Sequence, residues 1–122
     1  MSRFHAIFAN ARRCPVIGVV HLPALPGAPG YEGDMPGIVA RALQDFEIYQ
    51  DHGLDGVIIE NFGDAPFYPD RVPAETVAAM TRVVAAIIDR ASVPVGLNVL
   101  RNDAESALSI AAATGASFVR VN

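Results

Sequence analysis

The stretch Gly56–Gly63, GVIIENFG, constrains this chain more than any other. Gly56–Ile59 is apolar on both faces of a strand, which a sheet tolerates only where both sides are covered. The run then turns polar without a break, at Glu60 and Asn61, before Phe62 and Gly63. A buried strand with a polar end, set between segments of helical periodicity, is how parallel α/β proteins build a site. Ligands there sit beyond the carboxyl ends of the strands, where the loops open. The same grammar recurs at His21, Asn98 and Asn122.

Taken in order, the chain alternates strand and helix. Residues 1–15 are a lead-in, in which Ala6–Ala11 is expected to form a short helix under the sheet, ended by Pro15. Val16–His21, Gly56–Ile59, Pro94–Val99 and Ser117–Asn122 read as four strands. Asp34 caps the first long helix and Pro36 fits its first turn. Its stripe is Ile38, Ala42, Phe46 and Tyr49, widened by Val39 and Leu43, and Gly53 stops it. The second helix starts at Pro73 and Glu75, buries Val77, Met80, Val84, Ile87 and Ile88, and closes at Ser92. Asp103 caps a shorter helix with Ala104, Leu108, Ala111 and Ala112 on its apolar side, ended by Gly115.

No hairpin signal separates the strands, so each is parallel to the last, with right-handed crossovers. The two long loops, 22–33 and 61–72, both follow strands, and the connections after helices are short. An open doubly wound sheet and a (β/α)8 TIM-type barrel share this asymmetry. The chain stops at residue 122, in or just after a strand. Four strands and three crossover helices do not close a barrel, which typically takes about 250 residues. The expectation is therefore one domain, residues 1–122, forming the amino-terminal half of a barrel. A free-standing four-stranded sheet would leave two long apolar edges open.

Composition agrees with a sheet covered on both faces: 52% of residues are hydrophobic and the mean hydropathy is +0.31. With a net charge of −4 and no basic cluster, a nucleic-acid partner is not expected. No apolar run reaches the roughly 18 residues a membrane span needs, so no transmembrane segment is expected. The single cysteine, Cys14, excludes an internal disulfide and reads as a small packed hydrophobe rather than a nucleophile. A cytoplasmic location, with the option of peripheral membrane association, fits these features.

The strand ends supply the candidate chemistry. Glu60 is a candidate general base and His21 its acid/base partner. Asn61, Asn98, Arg101, Asn102, Arg120 and Asn122 are candidate substrate-binding residues, able to hold hydroxyl, carbonyl or anionic groups. Alternation along a strand places some of them outward instead, where they would cap helices or satisfy backbone. Arg120 either faces an anion or pairs with Glu60. His21 with Glu60 offers two ligands, too few for a metal site, and no metal is assigned. The cofactor stays unknown. Gly27, Gly30 and Gly33 sit among prolines and do not form a phosphate-binding glycine motif. Pro23, Pro26 and Pro29 are spaced for a polyproline-like turn or a stiff loop at the mouth. The loop 61–72, with Phe62, Phe67 and Tyr68, reads equally as a lid or as a surface loop held by its aromatics.

The phrases VIGVVHLPALPGAPGY, DGVIIENFGDAPFY, RVPAETVAAM, PVGLNVLRNDAESALSIAAATGA and FVRVN, in this order, resemble the BtpA/SgcQ family from Pro15 to Asn122. The resemblance implies a (β/α)8 barrel of the ribulose-phosphate-binding type, in chains about twice this length. It also implies an association with photosystem I biogenesis or stability in phototrophs, with photosystem I components as partners. Family members from organisms without photosynthesis keep that role from being general. No reaction and no catalytic residues carry over from it. Three readings stand: a barrel that binds or turns over a small phosphorylated sugar or nucleoside; a non-catalytic assembly or scaffold factor; and a truncated fragment without independent function. Whether the chain is an enzyme stays open. The full-length barrel is expected to form an oligomer.

Overall fold

A computed structural model describes residues 3–11 and 13–122. The order is α1 (Arg3–Ile7), β1 (Ile17–His21), α2 (Met35–Asp51), β2 (Gly56–Glu60), α3 (Ala74–Ile88), β3 (Val95–Asn98), α4 (Ala104–Thr114) and β4 (Phe118–Val119), with a 3₁₀ turn at Phe62–Asp64. The four strands form one sheet in the order β1-β2-β3-β4, and every neighbouring pair is parallel. The sheet therefore grows in one direction without reversal. Right-handed crossovers then put α2, α3 and α4 on one face, and α2 packs on α3 and α3 on α4.

The core lies between that helical layer and the sheet. Val20, Val57, Ile59, Val95 and Leu97 pack against Ile38, Ala42 and Phe46 of α2, and Met80, Val83, Val84 and Ile87 of α3. Full burial of each such side chain is worth about 1.5–3 kcal/mol. Asp34 caps α2 by accepting from Gly37 N at 2.9 Å, and the helix ends at His52 and Gly53, the latter at φ +78°. Gly53 thus supplies the left-handed conformation that a side chain resists.

The opposite face of the sheet carries the other alternate residues. At its amino-terminal end Phe8 covers Gly56 and packs against the Phe118 ring at 5.6 Å between centroids. The short helix expected at residues 6–11 is instead Arg3–Ile7, which buries no residue; Phe8, just after it, is what covers the bottom of the sheet. A Cβ on Gly96 would come within 2.4 Å of the Phe118 ring, so this glycine makes the room that ring occupies.

Several expectations are corrected. α3 ends at Ile88, capped by Asp89, not at Ser92. On α4 the buried residues are Ser106, Ala107 and Ile110, and Leu108 is 58% exposed. In an alanine-rich helix several faces are nearly equally apolar, and packing rather than pattern selects one. β4 is only Phe118–Val119, although Arg120 N still donates to Leu97 O at 3.0 Å. The loop after β1 is not polyproline-like: Ala28 N donates to Leu25 O and Tyr31 N to Ala28 O, making two successive turns. That loop also adds two fully buried residues to the core, Leu22 and Leu25. Cys14 is exposed rather than packed, in a bend ahead of β1.

Candidate functional site

Parallel register builds the site. His21 pairs with Glu60 across β1 and β2, and Glu60 with Asn98 across β2 and β3. Phe118 pairs with Gly96, so Arg120, two residues on, comes level with Asn98. His21, Glu60, Asn98 and Arg120 thus form one row at the carboxyl ends of four strands, on the face away from the helices. Side chains two apart share a face, and strands stand about 4.8 Å apart, so a row of this kind converges.

Glu60 is the hub. Asn98 Nδ2 donates to Glu60 Oε2 at 2.9 Å. His21 Nε2 stands 3.5 Å from Glu60 Oε1, and an Arg120 guanidinium nitrogen 3.8 Å from Oε2. Glu60 and Asn98 are buried, whereas His21 and Arg120 are more than half exposed. A buried carboxylate is costly unless hydrogen-bonded and near positive charge; this one has a donor from Asn98 and a guanidinium within ion-pair range. Phe62 stacks on the His21 imidazole at 4.5 Å and 23° between planes. It limits where the ring can swing and keeps Nε2 toward Glu60. Sequence reading placed Phe62 only in a general aromatic loop; its place directly after the Glu60–Asn61 pair was the available signal.

The remaining predicted residues lie elsewhere. Asn61 is a clamp between loops: its Oδ1 accepts from Leu100 N at 2.6 Å, and its Nδ2 donates to Leu100 O and to Asp64 Oδ2. Alternation turns it away from the row, and its amide is engaged by Leu100 and Asp64. Arg101 meets Tyr68 through backbone, its N–H donating to Tyr68 O at 3.2 Å. Asn122 N donates to Asn102 Oδ1, and Asn122 Nδ2 donates to Arg101 O at 2.9 Å. Arg101, Asn102 and Asn122 thus tie the end of β4 to the loop after β3 and lie outside the row. Among the described residues, no three His, Cys, Asp or Glu side chains come together as metal ligands.

Two carboxylates pin the loops around the row. Asp64 Oδ1 accepts from Leu25 N at 2.8 Å, and Gly63 N donates to Leu22 O at 2.9 Å, so the loops after β1 and β2 are locked together. Burial pushes the Asp64 carboxyl up, against the lowering effect of Leu25 N–H and Asn61. Asp103 caps α4, accepting from Ser106 N and Oγ, and also accepts from Val72 N at 2.9 Å. Burial pushes this carboxyl up too, but those hydrogen bonds and the Arg71 charge outweigh it and hold Asp103 below the usual range. The loop 61–72 is therefore fixed at both ends by polar contacts. Of its two readings, the surface loop is the nearer, although polar anchors rather than its half-exposed aromatics hold it.

Fold and site define a parallel α/β protein with a polar row, centred on a buried carboxylate, at the carboxyl ends of its strands. The chain belongs to the BtpA family, whose model matches residues 12–122. It is 49% identical over 108 residues to a protein of Pyrococcus furiosus, covering 88% of this chain and 41% of that protein. It is likewise 49% identical over 108 residues to the photosystem I biogenesis protein BtpA of Synechocystis, covering 88% and 38%. A Caenorhabditis elegans protein is 30% identical over 116 residues, covering 91% and 42%. The chain thus spans about two fifths of the length of these relatives, a share consistent with half of a barrel. No solved structure matches. Among the described residues no helix is long and apolar enough to cross a membrane.

Proposed function

We propose that the row His21–Glu60–Asn98–Arg120 is one flank of the mouth of a (β/α)8 barrel of the ribulose-phosphate-binding type, and that it binds or turns over a small phosphorylated sugar or nucleoside. The observation that carries this reading is the buried Glu60 carboxylate, with a donor on one oxygen and an imidazole nitrogen 3.5 Å from the other. A carboxylate and an imidazole within reach of one bound molecule can pass a proton between a substrate hydroxyl or carbon and solvent. In this role Glu60 takes the proton, His21 relays it, Asn98 orients Glu60, and Arg120 attracts an anionic group. The one-directional sheet with its helices on one face supports the barrel, because a doubly wound sheet reverses its strand order.

The test is isothermal titration with ribose 5-phosphate and with adenosine, on wild type and Glu60→Gln. The expected result is binding of at least one ligand, weakened at least about tenfold by a substitution that removes the charge partner of the site. If neither ligand binds wild type, the small-molecule reading fails.

A second reading comes from the Synechocystis relative, whose name gives it a role in photosystem I biogenesis. In this reading the chain is part of an assembly factor that contacts photosystem I components without catalysis. It predicts co-purification with those components that Glu60→Gln leaves intact.

A further inference from the structure

A second cleft, of about 340 Å³, opens between the loops after β1, β2 and β3 and the start of α3. Its volume lies in the roughly 300–1,000 Å³ range of small-molecule sites. None of His21, Glu60, Asn98 or Arg120 lines it. Alternation explains the separation: Glu60 turns to the row, and Asn61, the next residue, turns to this side.

The chemistry of the lining is specific. The walls are apolar, formed by Pro29, Pro66, Phe67, Tyr68 and Leu100. Two polar side chains with acceptor capacity meet them, Asp64 and Thr76; the Asn61 amide is already used by Leu100 and Asp64. Asp64 accepts one hydrogen bond on each oxygen, which leaves lone pairs free. Thr76 is 4% exposed, and no described residue pairs with its hydroxyl. The Glu75 side chain lies against Gly27 at the rim. Among the described residues no Arg, Lys or His lines the cleft. Acceptors without cations disfavour an anion, and burial pushes the Asp64 carboxyl up.

We propose that this cleft is a binding site, separate from the strand-end row, for a small amine or amide with an apolar body, whose N–H groups are donated to Asp64 and Thr76. The body stacks between the Tyr68 and Phe67 side and Pro29. Such a ligand gives the Asp64 carboxylate a charge-assisted or neutral donor in a partly dry setting, where hydrogen bonds of this kind are strongest.

The experiment uses three probes that share one ring: benzylamine, benzamide and benzoate. Each is titrated into the isotope-labelled chain, and amide shifts are followed at Leu25, Asn61, Asp64 and Thr76. Benzylamine or benzamide is expected to shift these amides saturably, with benzoate at least about tenfold weaker. Asp64→Asn is expected to weaken benzylamine at least about tenfold. Because Asp64 also holds Leu25, Thr76→Val serves as the second variant; it keeps the shape, removes only the hydroxyl, and is expected to weaken the better probe about threefold to tenfold. Benzoate binding as tightly as the amine, probe binding unchanged in Thr76→Val and Asp64→Asn, or no shift at these amides up to millimolar probe would each overturn the proposal. Titration of Glu60→Gln with the same probes separates the two sites, since that variant is expected to leave probe binding unchanged.

Discussion

Asn98 and Glu60 stand opposite each other on neighbouring parallel strands, and the Asn98 amide donates to the Glu60 carboxylate at 2.9 Å with both residues buried. The relationship follows from register. β2 and β3 both turn polar at the same level, so the amide arrives beside the carboxylate with no help from a loop. His21 and Arg120 extend the row on either side, but both reach it from solvent. Asn98 is therefore the contact that holds Glu60 in place.

Removing that contact leaves a buried charge without its donor. Asn98→Ala is expected to destabilise the chain by about 2–3 kcal/mol, the usual cost of an unsatisfied buried group that is charged. Asn98→Asp sets two carboxylates side by side and is expected to cost more at neutral pH. Urea unfolding of the three proteins checks both values. A loss below about 0.5 kcal/mol for Asn98→Ala, typical of surface changes, would mean that Glu60 is solvated from the open side of the sheet.

Gly63 is where the first two loops meet. A Cβ there would lie 2.4 Å from Ala24 N, 2.5 Å from the Pro23 carbonyl carbon and 2.8 Å from Leu22 O. These are backbone atoms, so no rotamer change relieves the collision. Gly63→Ala is expected to cost at least about 1–3 kcal/mol, as overpacking does, and to break the Gly63 N–H to Leu22 O bond. Gly33 provides the control. Its φ is +81°, but a Cβ would meet nothing within 4 Å, so Gly33→Ala carries only the left-handed strain of about 1–2 kcal/mol. Thermal unfolding together with the Leu22 and Leu25 amide exchange rates separates the two. Only Gly63→Ala is expected to expose Leu25, whose N–H rests on Asp64.

Helix α4 tests which face the core selects. Ile110 is 1% exposed and Leu108 58% exposed. Ile110→Ala is expected to cost about 2–5 kcal/mol, and Leu108→Ser to stay within about 0.5 kcal/mol. The reverse order, measured by denaturant midpoints, would put the helix on its other face.

How much of this was legible in the sequence depended on which physical term decided each feature. Strands that are apolar on both faces can only be central in a covered sheet, so β2 and β3 stood out. α2 was equally plain, because Asp34, Pro36 and Gly53 mark its ends and Ile38, Ala42 and Phe46 its face. The row was half legible. Strand ends identified His21, Glu60, Asn98 and Arg120, but also Asn61, Asn102 and Asn122, whose amides satisfy backbone instead. An amide at a strand end looks the same in either case; alternation after Glu60 was the cue that separated Asn61. The face of α4 was not legible, because alanines surround it on several sides. Neither were Leu22 and Leu25, since buried residues in a proline-rich loop obey no period.

Asp103 makes acid stability the final case. Its carboxylate caps α4 through Ser106 and holds the second loop through Val72 N. Its pKa is held below the ordinary 3.8. A carboxyl depressed in the folded state contributes stability that is fully present above its unfolded value and lost as pH falls through its folded one. Asp64 runs the other way. Its carboxyl is pushed above 3.8, so its contribution is present below that value and lost as pH rises through the raised one. Asp103→Asn is therefore expected to cost about 1–3 kcal/mol near neutrality, from the cap and the stranded Val72 N–H. That difference from wild type should stay level down to the ordinary carboxylate range and shrink only below 3.8. Urea midpoints of both proteins, taken at steps from neutral to strongly acid pH, follow it. A difference that closes well above 3.8 would show that the folded state does not hold the Asp103 carboxyl below its ordinary range.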